Sequence, residues 1–226
     1  MSIRLVLVHS PLVGPATWSR VAPMLAKRGY DVRIADLGDT LAHGPPFSRR
    51  QVDVIARCAA GEPAILIGHS GAGALLAPAG LAAGGALGYV FVDAGLPNPG
   101  RSHMSTMPPN LADQLRQMAD RDGWLPPWPQ WWGEDGLAEL IADSGIRRRF
   151  AAECPKLPLA MFDELMPEGR DAPGAYLQLS EAYDKPAAQA SERGWPLIKL
   201  ASHHLVPLTD PATVAEPMLE LLSQLQ

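Results

Sequence analysis

PAILIGHSGAGALL, residues 63–76, runs from a short apolar stretch into a glycine-rich corner and out into alanine and leucine. The apolar run has the length of a buried strand, and the alanines and leucines beyond the corner suit a buried helix. Three readings of the corner compete. Ser70 could be a nucleophile raised on a sharp strand-to-helix turn, the glycines could cradle a phosphate, or the turn could be a tight corner and nothing more. A raised serine needs small residues two positions to either side, because larger side chains would collide there. Gly68 and Ala72 meet that need, with alanine standing where the pattern has a second glycine. Gly71 follows the serine, and its N–H would point to where an oxyanion forms, at the positive end of the next helix.

Working outward, further buried-strand runs occur at 3–9 (IRLVLVH), 31–36 (DVRIAD), 88–94 (GYVFVDA), 175–180 (AYLQLS) and 196–201 (PLIKLA). Helical spacing falls between them at 18–27, 49–59, 72–83 and 214–225. The last helix is announced by Asp210-Pro211, a capping residue followed by proline in the first turn. Alternating strands and helices imply right-handed crossovers, and so an α/β fold: a doubly wound, mainly parallel sheet with helices on both faces. The alternation fails between 97 and 174. That segment carries helical patterns at 111–120 and 134–152, and it gathers Trp124, Trp128, Trp131 and Trp132 among prolines. It reads as a helical cap inserted into a core made of 1–96 and 175–226. The indoles are expected either to form the cap's own core or to roof an apolar substrate pocket.

Composition narrows the classes. A chain of 226 residues with 47% hydrophobic and 19% charged side chains can bury a sizeable core. Its net charge of −5, without a run of lysine or arginine, argues against nucleic acid or an anionic membrane as partner. Two cysteines, Cys58 and Cys154, do not make a disulfide scaffold and fit a reducing cytoplasm. The opening MSIRLVLVHS is too short and too soon polar for a signal peptide. Residues 63–92 contain no Asp, Glu, Lys or Arg, the length of a membrane span, but GHSGAG, Pro78 and Gly84-Gly85 break the run into strand, turn, helix and strand.

One rival must be kept in view. Gly71-Ala72-Gly73 lies between strand and helix, and Asp93 closes the following strand at about the spacing of a ribose-binding acid in dinucleotide sites. Against this, strands and helices already precede the turn, and too few βα units follow it to build a second nucleotide half. The histidines near the C-terminus would also be left without a task.

A serine hydroxyl is a poor nucleophile until a base takes its proton. His69 adjoins Ser70 but should point away from it. His203 and His204, in ASHHLVPLTDP, follow the last strand at the carboxyl edge of the sheet, where ligands of such folds bind. Only one of two adjacent side chains should reach the serine.

Together, VLVHSPLVGPATW, GHSGAG, YVFVDAGLP and HHLVPLTDP resemble the α/β-hydrolase superfamily over essentially the whole chain. By that resemblance the base is His204, matched on the following Asp210-Pro211, with His203 second. In the plant esterase and hydroxynitrile-lyase branch the acid position falls on Ala182, which cannot orient an imidazole. Glu181 and Asp184 flank it out of register. Thioesterase-like members carry the acid one strand earlier, which gives Asp93, and this is the favoured choice. Members of the superfamily take a second oxyanion donor from the loop after the first strand. Here that loop reads His9-Ser10-Pro11-Leu12, and Pro11 has no N–H to offer. Either Leu12 N–H or Ser10 Oγ is expected to serve, and in the hydroxynitrile-lyase branch a hydroxyl residue matching Ser10 contacts substrate.

The resulting expectation is a cytoplasmic serine hydrolase acting on an apolar small-molecule ester, lactone or thioester through an acyl-enzyme, with no cofactor, metal, nucleic-acid or membrane partner. The alternatives are a hydroxynitrile-lyase-like C–C lyase, a non-catalytic binder of the same fold and, less favoured, a dinucleotide-binding protein.

Overall fold

The structure, a computed structural model, describes residues 3–133 and 136–225. Among the described residues eight strands occur in chain order: β1 (Arg4–Val8), β2 (Asp31–Ala35), β3 (Ala64–Ser70), β4 (Gly88–Ala94), β5 (Trp124–Leu125), β6 (Leu157–Pro158), β7 (Gly174–Gln178) and β8 (Leu197–Lys199). Six form one sheet in the order β2-β1-β3-β4-β7-β8, and every pairing in it is parallel. β3, which ends in the serine corner, therefore lies inside the sheet, buried along both flanks.

Side chains alternate across these strands with period two, and the two faces feed separate cores. Val6, Val8, Leu66 and Phe91 face the helices Phe47–Ala59, Gly73–Ala82 and Asp184–Glu192. Leu5, Leu7, Ile65, Ile67 and Val92 face Trp18 and the C-terminal helix Pro211–Ser223. This is the doubly wound α/β arrangement that the alternating pattern implies. The charge-free run at 63–92 resolves into β3, the helix Gly73–Ala82 and β4. Among the described residues no helix is long and apolar enough to cross a membrane.

Between β4 and β7 the chain leaves the sheet. It forms the helices His103–Thr106, Pro109–Met118 and Ser144–Glu153, and the small antiparallel pair β5-β6. Two of its carboxylates bind the core by N–H groups at helix starts, which have no partner within the helix. Glu164 accepts from Phe47 and Ser48 N–H at 2.7 and 2.6 Å, and Glu153 accepts from Ala16 N–H at 2.6 Å. Each supplies negative charge to the positive end of a helix, which is where it is favoured.

Two helix expectations need correcting. The pattern at 18–27 is two short helices, Ala16–Ser19 and Ala22–Ala26, the second with Pro23 in its first turn. The pattern at 134–152 yields a helix only over Ser144–Glu153, because Asp143 caps it by accepting from Ile146 N–H at 2.8 Å and so sets a later start. Glu134 and Asp135 lie outside the described residues.

Candidate active site

The serine corner is built by close packing. A side chain on Gly68 would meet Leu76 at 3.0 Å, and one on Gly73 would lie 2.0 Å from the carbonyl oxygen of Gly95. The helix can therefore start directly behind the strand. Ser70 pays for the sharpness of the turn with φ of 60°, in the left-handed region that residues with a side chain seldom occupy. Asp93 is the one other described non-glycine residue with positive φ, at 43°. It sits where the β3-β4 register slips: His69 pairs with Val92, but Ser70 pairs with Ala94. The extra residue is a bulge, and bulges re-aim side chains.

The re-aimed carboxylate of Asp93 is fully buried. One oxygen accepts from the N–H groups of Leu179 and Ser180 at 2.9 and 3.0 Å. The other accepts from Ser180 Oγ at 2.6 Å and lies 2.8 Å from His204 Nδ1. Burial opposes its ionisation most strongly, but the bonds from His204, Ser180 and Leu179 together outweigh that and hold the acid below the ordinary carboxylate range. An ionised Asp93 accepts a proton-bearing Nδ1, which leaves the lone pair of His204 on Nε2.

His204 is stacked on both faces. The His69 ring lies 4.4 Å away on one side, and the Tyr183 ring, nearly parallel at 7°, lies 5.1 Å away on the other. His69 shares a strand face with Ile65 and Ile67, so it points toward Trp18 and the histidine loop, where its Nε2 meets the carbonyl oxygen of His204 at 2.9 Å. Burial first, and then the charge His204 can carry, lower the His69 pKa to about 3, so its ring is neutral. His203 turns elsewhere, its Nε2 3.2 Å from Thr209 Oγ1.

Ser70 Oγ makes its hydrogen bond to Tyr183 Oη at 3.1 Å, rather than to His204. Burial pushes the Tyr183 phenol up to about 12, so it stays protonated. Behind the serine, Leu12 N–H donates to Ser10 Oγ at 3.3 Å, which occupies that backbone donor and leaves the Ser10 hydroxyl hydrogen free to point elsewhere. His9 fixes the loop beneath: its Nε2 accepts from Leu37 N–H at 3.1 Å, so its Nδ1–H donates to Ser10 O at 2.9 Å. Gly71 N–H has no backbone acceptor among the described residues.

Ser10, Leu12, Ser70, Gly71 and Tyr183 all line one cavity of about 510 Å³. Its apolar wall comes from Leu75, Leu96, Met107, Met161, Phe162 and Met166. The four tryptophans do not line it, which corrects the expectation of an indole roof. The prolines around them close that segment on itself: Trp131 Nε1 donates to Pro126 O at 2.8 Å, Trp128 packs edge-on to Trp132 and Phe150, and Trp124 enters β5. The acids flanking position 182 also lie elsewhere. Asp184 is held by Lys199 Nζ at 2.9 Å and Gln178 Nε2 at 2.6 Å, while Glu181 is exposed in the turn Glu181–Tyr183. The corner does not suit a ribose either, since Asp93, the acid such a site would use, has both oxygens engaged inside the protein.

A six-stranded parallel sheet, a strained serine on its inner strand and a cavity above it are the frame of one family, and residues 5–216 match it: the alpha/beta hydrolase family. The chain belongs to that family. Among solved structures, this alpha/beta hydrolase is similar to an extracellular alpha/beta-hydrolase from a Paenibacillus species, 20% identical with a TM-score of 0.72, over 97% of this chain and 98% of that one. It is also similar to a pyrethroid hydrolase from Sphingobium faniae JZ-2, at 22% identity and TM-score 0.69 over 97% of each chain. A third is tomato methylketone synthase I, complexed with 2-tridecanone, at 16% and 0.73 over the whole of both. At these identities the likeness is one of fold. Among curated protein sequences the chain has no match.

Sequence reasoning missed three contributors. Ser180, Tyr183 and His69 each touch the aspartate, the serine or the histidine. The signal for two of them lies in LQLSEAYD, residues 177–184, where Ser180 and Tyr183 stand among the acids Glu181 and Asp184.

Proposed function

We propose that the protein is a serine hydrolase that cleaves an apolar small-molecule ester, lactone or thioester through an acyl-enzyme. The observation that carries the reading is the 2.8 Å contact between His204 Nδ1 and the buried Asp93, beside a serine strained into the left-handed region at the floor of a cavity. In this reading Ser70 Oγ attacks the acyl carbon while its proton passes to His204 Nε2. Asp93 holds the tautomer that makes Nε2 the acceptor and stabilises the imidazolium that forms. Gly71 N–H and the Ser10 hydroxyl donate to the oxyanion, Ser10 being favoured over Leu12 because the Leu12 N–H is already spent on Ser10 Oγ. Collapse of the tetrahedral adduct breaks the bond to the leaving alcohol or thiol, which takes the proton from His204. Water then attacks the acyl-enzyme with His204 again as base, and the acid product leaves with Ser70 restored.

The methionines, leucines and Phe162 of the cavity wall favour an acyl or alkyl group over a charged one. Residues 97–174 act as the cap that supplies much of that wall. The fold shared with a pyrethroid hydrolase is consistent with ester chemistry.

A panel of esters, lactones and thioesters of graded chain length, assayed with the wild type and Ser70→Ala, tests the proposal, with mass spectrometry to trap the acylated Ser70. Turnover that survives Ser70→Ala, or an absence of turnover across all three classes, would sink it. The bond from Ser70 to Tyr183 favours one second reading, a site that binds a carbonyl compound without acylation. That reading expects ligand binding with no acyl-Ser70 on any substrate.

A further inference from the structure

We infer that Tyr183 is a positioning residue that holds Ser70 in a resting rotamer, off His204, until a ligand in the cavity takes over the tyrosine hydroxyl. The inference rests on the hydrolase reading and adds to it a control on when the nucleophile is armed.

Three observations carry it. Ser70 Oγ is bonded to Tyr183 Oη at 3.1 Å, a contact that holds the hydroxyl on the tyrosine rather than on His204. The Tyr183 ring lies flat on the His204 imidazole, and the cavity wall at this point is Tyr183, with His204 behind it. The tyrosine is also fixed in place by its neighbours. Ser180, three residues earlier, is bound to Asp93, and the next residue, Asp184, is bound to Gln178 and Lys199.

A proton relay through the phenol does not fit this geometry. An imidazole nitrogen accepts hydrogen bonds in the plane of its ring, whereas Tyr183 lies over the face. Tyr183 also keeps its proton, because burial raises its pKa to about 12. What the phenol can do is donate. An ester or carbonyl oxygen entering the cavity can accept the Tyr183 hydroxyl, and Ser70 is then free to turn by one staggered step toward Nε2. Tyr183 so couples occupancy of the cavity to readiness of the serine.

The test is the rate at which a small ethyl fluorophosphonate labels Ser70. In that reaction the Oγ–P bond forms, the P–F bond breaks, fluoride leaves and the serine proton passes to His204. Such a probe is too small to need the tyrosine for binding, so it reads the free energy of release. A neutral hydrogen bond of this kind corresponds to about a two- to twelvefold rate, so Tyr183→Phe is expected to label about that much faster than the wild type. The pH of half-maximal labelling should stay where it is, since the bond from His204 to Asp93 is untouched, and the gain should vanish when His204→Ala is added. Should Tyr183→Phe not accumulate as folded protein, Tyr183→Leu removes the same hydroxyl and is expected to accelerate labelling likewise. Labelling of Ser70 at an unchanged or lower rate in these variants overturns the inference and leaves the hydrolase reading standing. A gain that persists without His204, or a shifted pH midpoint, overturns it as well. Failure of Ser70 to label in the wild type and both variants removes the hydrolase reading, and the inference with it.

Discussion

Acidification should unseat the histidine loop through His69, a residue outside the proposed chemistry. Its Nε2 holds the carbonyl oxygen of His204, its ring lies between Trp18 and the His204 imidazole, and its Nδ1 is buried with no partner among the described residues. A second proton would land on that Nδ1, adding a buried charge and a donor with nothing to accept from it. Burial and the neighbouring His204 accordingly lower its pKa to about 3. In the unfolded chain a histidine titrates near about 6.5, so between the two values the unfolded form binds more protons. Stability from this residue is intact above about pH 6.5 and falls by about 1.4 kcal/mol per pH unit as the pH drops toward about 3. Between about pH 7 and about pH 5 the loss is about 2 kcal/mol, a large share of a domain's usual margin. Other groups titrate over this range, so the assay is a comparison. Urea unfolding is followed at each pH for the wild type and for His69→Gln, whose amide can still donate to His204 O but does not ionise. The wild type should lose about 2 kcal/mol more than the variant across that interval. Parallel pH curves would refute the reasoning, because His69 would then not be a neutral prop under the loop.

Two further outcomes bear on the proposed chemistry. Asp93→Asn should lower kcat on the best ester by about 10⁴, since an amide cannot hold His204 in the tautomer that leaves Nε2 free, and a loss below about tenfold would remove Asp93 from that role. Ser10→Ala should lower kcat by about 10²–10³ if the serine hydroxyl is an oxyanion donor. The same change frees the Leu12 N–H, so a fall of less than about tenfold would hand the donor role to Leu12.

The sheet could be read from the chain because its signals are local and periodic. Leu5 and Leu7 against Val6 and Val8 alternate between two hydrophobic layers, and so continuous an apolar run marks a strand buried on both faces. The serine corner was legible for a similar reason, since Gly68 and Gly73 are small where neighbouring atoms leave no room. The tryptophans were not legible. Aromatic density at 124–132 signals a packed cluster, but periodicity says nothing about which side of the cluster faces a cavity. The partners Pro126 and Phe150, one local and one distant, decided it. Tyr183 escaped for a different reason. Its contact with Ser70 joins residues 113 positions apart, and no pattern along the chain marks a phenol that will meet a hydroxyl across a sheet edge.

Asp93 is the instructive intermediate case. As the last polar residue of an apolar strand it could be singled out as a candidate acid, yet a regular strand would not deliver it. β4 ends beside β3, and with unbroken pairing Asp93 would stand opposite Ser70, its side chain alternating with those of Val92 and Ala94. The slip in register instead gives β4 one extra residue, and that residue takes the left-handed conformation that turns its carboxylate to His204 Nδ1. Ser70, on the neighbouring strand, adopts the same unusual conformation at the same edge. Each position is locally unfavourable by an amount of order 1–3 kcal/mol, and neither would persist unless surrounding bonds enforced it. Gly95 N–H to Ser70 O at 3.2 Å, and the two N–H groups that hold Asp93, are those bonds. Two strained residues side by side, one held by the backbone of Gly95 and the other by that of Leu179 and Ser180, are hard to explain as packing, since glycine at either place would relieve the cost. Under the proposed function they serve to raise a hydroxyl at the cavity and to turn a carboxylate to the histidine that would take the hydroxyl's proton.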